Sequence, residues 1–288
     1  MNLEEAWELI QRATHGGGER ASREALGQLV AGELGGDERA LIDLYTPLLD
    51  PERTAGFVVG HLGQSLDGHI ATESGHSVHV TGPENITHLH RMRSLSDAVV
   101  VGARTVLLDD PRLTTRRVNG RSPVRVVLDP RRRVGPDHQV FTDGAAPTLL
   151  VCRASNAGAG PDRIGDAEVV PIPGEPQGLD LSALLAELRR RGIRNVFVEG
   201  GGITVSAFLA AGLLDRLHIA IAPLLIGSGR PGINLPAIAT LAEGIRPRHR
   251  TYRMGDDTLF DCDLRASSAG GRRHCPEQRR APAGASAP

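Results

Sequence analysis

Between residues 53 and 266 the chain alternates short β-forming runs with amphipathic stretches. This alternation limits the fold more than any other feature. The runs "AGFVVGHL", "DAVVVG", "PVRVVLD", "TLLVC", "EVVPI" and "NVFVEG" are bounded by Gly, Pro or Asp and read as strands. "PENITHLHRMRSL", "LDLSALLAELRRRG" and "TVSAFLAAGLL" read as helices. Such alternation implies an α/β fold with a mixed, mainly parallel sheet flanked by helices. The late runs "DRLHIAIAPLLIG", "RHRTYRMG" and "DTLFDCDLRA" have no helices between them, so the sheet is expected to gain antiparallel strands.

The flanking regions differ. Residues 1–52 read as an N-terminal helical extension. Leu3, Ala6, Trp7 and Ile10 fall at helical spacing, "HGGGE" breaks the pattern, and "DERALIDLYTPLL" resumes it. Residues 267–288 are small, polar and Pro-rich, a composition expected to be disordered. A hydrophobic fraction of 40% supports a real core, and a net charge of −1 argues against a nucleic-acid partner. Cys152, Cys262 and Cys275 are far apart in sequence, which excludes a Cys-x-x-Cys zinc site and fits a reducing cytoplasm. No metal is expected. No apolar run approaches the roughly 20 residues of a membrane helix, and the acidic N-terminus does not read as a signal peptide. The chain has no lysine, so neither a Schiff-base nor a P-loop lysine is available.

Three strand ends carry candidate chemistry. In "VFVEGGGITVSAFLAAGLLD" a strand delivers Glu199 and then Gly200, Gly201 and Gly202 to the start of a helix. A helix N-terminus offers free amides and a positive dipole end, and glycine lets an anion approach the backbone. A tight strand-to-helix turn with no ligand explains the same residues. In "DAVVVGARTVLLDDPRLTTR" a strand ends at Gly102, Thr105 follows, and Asp109 and Asp110 precede Pro111. Two phosphate-ready turns in one sheet suggest a dinucleotide, but no Gly-x-Gly-x-x-Gly fingerprint follows any strand. A solvated acidic loop is the competing reading. Asp67-Gly68 in "HLGQSLDGHIA" signals a turn.

Taken in order, "QSLDGHIA", "SDAVVVGARTVLLDDPRLTTR", "PVRVVLDPRRR", "VFVEGGGITVSAFLAAGLLDRL" and "APLLIGSG" resemble the reductase domain of riboflavin biosynthesis, of the dihydrofolate-reductase-like fold. The resemblance covers residues 55–265. It implies an NADPH-dependent reductase that converts the ribosyl group of a 5-phosphoribosylamino-pyrimidine to a ribityl group. Carried over by motif, it places Gly63, His79, Thr105 and Asp109 at the cofactor. It makes Gly201, Gly202, Ile203, Thr204, Val205, Ser206 and Ala207 the pyrophosphate loop. Ser77, Arg93, Leu113, Arg116 and Glu199 fall where the family holds substrate. Arginine suits a phosphate because its guanidinium donates two parallel hydrogen bonds, although isolated arginines are more often simply solvated. Arg131, after "VVLD", is the candidate for the cofactor's 2′-phosphate, with a solvated turn as the alternative.

Two positions depart from the family pattern. His61 stands where lysine is common, and His79 where tryptophan is common. Histidine keeps a possible proton donor with a charge that varies near neutrality, so Glu199 and His61 are the catalytic candidates. The departures leave open a different pteridine- or pyrimidine-type substrate of specialised metabolism. A non-catalytic NADPH-binding module is the reading from another class. The zinc-deaminase signature of bifunctional family members does not occur in the sequence. The "LHIAIAPLLIG" run and the late antiparallel strands are the expected surface of a homodimer.

Overall fold

In the computed structural model, described for residues 2–15, 24, 27–28, 35–49, 56–78, 80–176 and 178–265, the apolar runs all become strands of one sheet. Its order is β11-β12-β9-β1-β8-β3-β4-β5-β7-β6. The strands are β1 (Phe57–Ser65), β3 (Ala98–Gly102), β4 (Val124–Leu128), β5 (Thr148–Arg153), β6 (Arg163–Ile164), β7 (Ala167–Ile172), β8 (Asn195–Glu199), β9 (Arg216–Ala222), β11 (Arg248–Met254) and β12 (Asp257–Asp263). From β9 through β1, β8, β3, β4 and β5 to β7 the neighbours are parallel. Antiparallel strands close both edges, with β12 and β11 at one side and β6 at the other. Continuous runs such as "AVVV" are buried on both faces, as a parallel sheet covered by helices requires.

The two faces have separate apolar layers because side chains alternate along each strand. Val58, Val100, Val126 and Val198 face helices α6 (Leu181–Arg190) and α7 (Gly202–Ala210). Helix α6 shows why these segments are helical. Asp180 accepts the Ala183 amide at 2.9 Å, Leu184, Leu185 and Leu188 form the buried stripe, and Gly192 with φ of 80° ends the segment. Such a cap stabilises a helix by about 1 kcal/mol.

On the opposite face Phe57, Val59, Val99, Val101 and Phe197 pack with α3 (Pro83–Leu95), α4 (Ala103–Asp109) and α5 (Gln139–Thr142). The same layer contains Trp7 and Ile10 of α1 (Leu3–His15) and Leu41, Leu44 and Tyr45 of α2 (Gly36–Tyr45). The N-terminal extension therefore shares its core with the sheet. The expected boundary near residue 52 and the tail from residue 267 lie outside the described residues.

Two features differ from the sequence reading. The "LHIAIAPLLIG" run divides, its first part entering the sheet while Leu224 and Leu225 beyond it stay exposed. Its strand β9 lies between β1 and β12, and it stops before Pro223. A small second sheet pairs β2 (His69–Thr72) with β10 (Gly229–Pro231). It is tethered by Asp67, which accepts the amides of Ile226 and Gly227 and the hydroxyl of Ser65. Asp67-Gly68 is thus a turn, with Gly68 at φ of 85°, and also a clamp between distant loops. Among the described residues no helix is long and apolar enough to cross a membrane.

Candidate active site

β8 lies between β1 and β3, so three parallel strands present their carboxyl ends side by side. In open α/β sheets such a reversal of strand order leaves a crevice for ligands. Here it gathers His61, Gly102 and Glu199, with His61 and Glu199 directly opposite in register.

The glycines after Glu199 have different causes. None of the three has a positive φ, so backbone conformation does not demand them. A Cβ on Gly202 would collide with the carbonyls of Pro231 and Gly232, so this position is glycine for the protein's own packing. A Cβ on Gly201 would meet only Thr105 Oγ1, at 3.8 Å, and one on Gly200 would make ordinary contact with Thr204. Nothing in the fold needs glycine at 200 or 201. Both flank the N-terminus of α7, which no side chain caps. Glu199 does not cap it either, because its carboxylate turns to Arg93. The geometry fits a pyrophosphate approaching the α7 amides.

The rest of the 201–207 loop divides the same way. Ile203 is 70% exposed, and Ala207 is exposed. Val205 is buried in the core, and Ser206 Oγ accepts the Asn234 amide at 2.9 Å. Thr204 fills the space left by Gly102, where a Cβ would come within 2.6 Å of its hydroxyl. Gly102 thus has a packing reason of its own at the uncapped start of α4.

Arg93 is buried and committed. Its Nε donates to Glu199 Oε2 at 2.7 Å, Nη2 donates to Oε1, and Nη1 donates to the Thr114 carbonyl at 3.0 Å. The expectation of an open phosphate clamp does not describe it, because its fork is already filled by Glu199. Leu113, with φ of 56°, turns the chain so that Thr114 presents that carbonyl. A left-handed leucine costs on the order of 1 kcal/mol, and such strain is typical of functional sites.

Arg116 contrasts with it. This exposed arginine donates from Nη1 to Thr114 Oγ1 at 2.9 Å and has no carboxylate partner among the described residues. Partial burial and the charges of Arg93 and Arg112 hold its pKa below the ordinary arginine value. Three arginines, Arg93, Arg112 and Arg116, thus concentrate positive charge around the single carboxylate of Glu199.

The acidic pair also splits. Asp110 caps its loop, accepting Gln139 N at 2.8 Å with His138 Nδ1 at 3.2 Å. Asp109 instead meets Ser77 and Arg230. Desolvation raises its pKa, offset by the Arg230 charge and the Ser77 hydrogen bond. The structure thus unites Ser77 with Asp109, and Thr105 with Gly201. Arg230, in "GSGRPG", carried no local sequence signal.

His61 is 4% exposed, and its Nε2 donates to Asn85 Oδ1 at 3.0 Å. Burial, followed by the charge of His218, lowers its pKa to about 4. At neutral pH it is uncharged and turned toward Asn85, which does not suit a proton donor. The space that Gly63 leaves is filled by Thr81, whose hydroxyl accepts from Asn85 at 2.9 Å. Arg131 is exposed at the carboxyl end of β4. His79 lies outside the described residues.

The chain is similar to known proteins over most of its length. Residues 57–250 match the RibD C-terminal domain family. The chain is 36% identical over 215 residues to the 2,5-diamino-6-ribosylamino-4(3H)-pyrimidinone 5′-phosphate reductase of Methanothermobacter thermautotrophicus, covering 71% of this chain and 96% of that protein. It is 33% identical over 214 residues to the riboflavin biosynthesis protein RibD of Escherichia coli, covering 69% of this chain but only 57% of RibD. Among solved structures, a Thermotoga maritima deaminase/5-amino-6-(5-phosphoribosylamino)uracil reductase superposes with a TM-score of 0.60 at 25% identity, over 79% of this chain and 61% of that one.

Proposed function

The chain belongs to the RibD C-terminal domain family, and from that premise we propose that it is an NADPH-dependent reductase acting on a phosphorylated ribosylamino-pyrimidine of riboflavin biosynthesis. The observation that carries this is the pairing of an uncapped helix start, beside glycines the fold does not need, with a carboxylate and an unpaired arginine on the neighbouring side. The first suits a dinucleotide, and the second suits a heterocycle bearing a phosphate. The relative named as a reductase of the diamino-pyrimidinone is spanned over 96% of its length, which supports the reductive half of the pathway as this chain's work.

The pyrophosphate would rest on the amides opening α7, beside Thr105, with Asp109 and Ser77 at the rim. Arg131 would meet the 2′-phosphate. A bound nicotinamide supplies the hydride that converts ribosyl to ribityl. The protein's part is orientation. A carboxylate has about four acceptor positions, and Arg93 takes two of those on Glu199. The other two accept from ring nitrogen or sugar hydroxyl groups, which fixes the reacting carbon. Arg116 would hold the phosphate. Exposed Leu225 and Leu241 and the open edge of β11 support a homodimer, and the free thiols of buried Cys152 and Cys262 fit a reducing cytoplasm.

The test is turnover of the purified protein with NADPH on the diamino-pyrimidinone phosphate and on its deaminated uracil counterpart, with light scattering on the same sample. NADPH oxidation with one of them and a dimeric mass are expected. Tight NADPH binding without turnover on either would move the substrate outside this pathway. A monomer at micromolar concentration would remove the dimer.

A further inference from the structure

Helix α3 sends three polar side chains inward from one face. Asn85 holds His61, Arg93 holds Glu199, and His88 lies between them, 0% exposed. His88 belongs to a buried chain of polar groups. Tyr45 Oη lies 2.7 Å from His88 Nδ1, His88 Nε2 lies 3.1 Å from His218 Nδ1, and His218 Nε2 lies 3.2 Å from Asp261 Oδ1. This last contact is electrostatic rather than a well-aligned hydrogen bond. Asp261 is forked by Arg216, with Nε donating to Oδ1 at 2.6 Å. A neutral imidazole has one donor and one acceptor nitrogen. Whichever nitrogen of His88 carries the proton, the other can accept, so His88 is satisfied in either direction.

The rings also touch, Tyr45 stacked on His88 and the two histidine contacts tilted. Tyr45 lies on His88 at 5.6 Å and 29°, and His88 contacts His218 at 5.1 Å and His61 at 5.5 Å. The chain therefore grips the middle of α3 from two sides, from the N-terminal extension through Tyr45 and from the sheet through His218. Arg93 sits five residues further along the same rigid helix. A buried polar chain without such a task would be a cost, since each unsatisfied member is unfavourable.

We propose that Tyr45, His88 and His218 are positioning residues: the chain they form sets the place of α3 and thereby aims Arg93 and Glu199 at the substrate. The N-terminal extension is, on this view, part of the active-site scaffold. The readout in turnover rests on the reductase reading, but the positioning does not.

The experiment compares Tyr45→Phe with Ile10→Val, which loosens the same extension by packing alone. The first measurement is hydrogen exchange of the Arg93 Nε–H by NMR, in protein without substrate. The second is kcat, alongside the NADPH Kd. Tyr45→Phe should speed the Nε–H exchange by at least roughly tenfold and lower kcat by roughly tenfold, the scale of a sub-ångström misplacement. NADPH affinity should not change, and Ile10→Val should do neither. If Tyr45→Phe alters both no more than Ile10→Val does, the proposal is wrong. His218→Gln asks the same question from the sheet side and decides it should Tyr45→Phe not fold. Wild-type protein that turns over no ribosylamino-pyrimidine would count against the proposed function alone, because the exchange measurement still decides the positioning.

Discussion

Two carboxylate–guanidinium forks occupy the same face of the sheet. Asp261 of β12 pairs with Arg216 of β9, and Glu199 of β8 pairs with Arg93 of α3. The chemistry is the same, but the surroundings differ. The Asp261 side chain is 0% exposed, and its remaining capacity faces His218. The Glu199 side chain is 17% exposed at the strand ends, with Arg116 near enough to feel its charge but forming no ion pair among the described residues. A fork closed on all sides holds structure. A fork with free lone pairs at a crevice can hold a ligand. The comparison locates function in what is left unsatisfied rather than in the ion pair itself.

The largest expected effect is on the closed fork. Burial alone would raise the Asp261 pKa, but the proximity of His218 and the Arg216 fork outweigh it and hold it low. Asp261→Asn removes the forked partner of the buried Arg216 guanidinium and leaves it only the longer Asp263 contact at 3.9 Å; breaking a buried pair in this way typically costs roughly 3–5 kcal/mol. Urea unfolding measures this. A loss below about 1 kcal/mol would mean that the fork contributes little, as many surface pairs do.

Between the two forks lies His61, with a folded pKa of about 4 against an ordinary value of 6.5. Between those pH values the unfolded chain binds a proton at this site that the folded protein refuses. Stability therefore falls as pH drops from 6.5 towards 4. At about 1.4 kcal/mol per pKa unit, His61 alone accounts for roughly 3 kcal/mol at the acid end. His88 and His90, also lowered by burial, act in the same direction. Melting temperature against pH should show this slope, and His61→Gln should flatten it. An unchanged slope would place the acid sensitivity elsewhere.

The open fork should respond in turnover rather than in melting. Glu199→Gln keeps size and loses charge, and kcat/KM should fall by roughly 10²-fold, as when a positioned acid–base group is lost. NADPH affinity should be nearly unchanged, and the loss of stability should be smaller than for Asp261→Asn. A variant that melts much earlier yet turns over normally would make the two forks equivalent and remove Glu199 from the site.

The sequence made the open fork's strand legible but not its partner. "VFVEGGG" marks a strand end and a helix start by local pattern alone, and both formed. That Gly202 serves backbone packing while Gly200 and Gly201 do not was invisible, because the colliding carbonyls belong to Pro231 and Gly232. In "DDP" the adjacent carboxylates turned in opposite directions, one to Gln139 and one to Ser77 and Arg230, a division that no spacing rule contains. The polar chain through Tyr45, His88 and His218 was equally hidden. Its members are 43 and 130 residues apart in sequence, and each alone reads as an ordinary core residue.

The smallest effect belongs to "DPRRR", where the same distinction recurs on the surface. Arg132, with φ of 54°, donates from Nη1 to Ala157 O at 2.8 Å and from Nη2 to Pro161 O at 2.5 Å, so its guanidinium is occupied. Arg131 and Arg133 are exposed. Arg131 comes first after β4, whose end lies beside that of β3. If open guanidinium groups are the ones that meet ligands, Arg131 should contact the extra phosphate of NADPH. Exposed charge pairs contribute about 1 kcal/mol, so Arg131→Ala should weaken NADPH binding by roughly fivefold and leave NADH unchanged. Arg133→Ala serves as the control for general electrostatic attraction, which falls off with salt. Equal losses for the two nucleotides, or equal losses from the two arginines, would show that the run acts only as a diffuse positive surface.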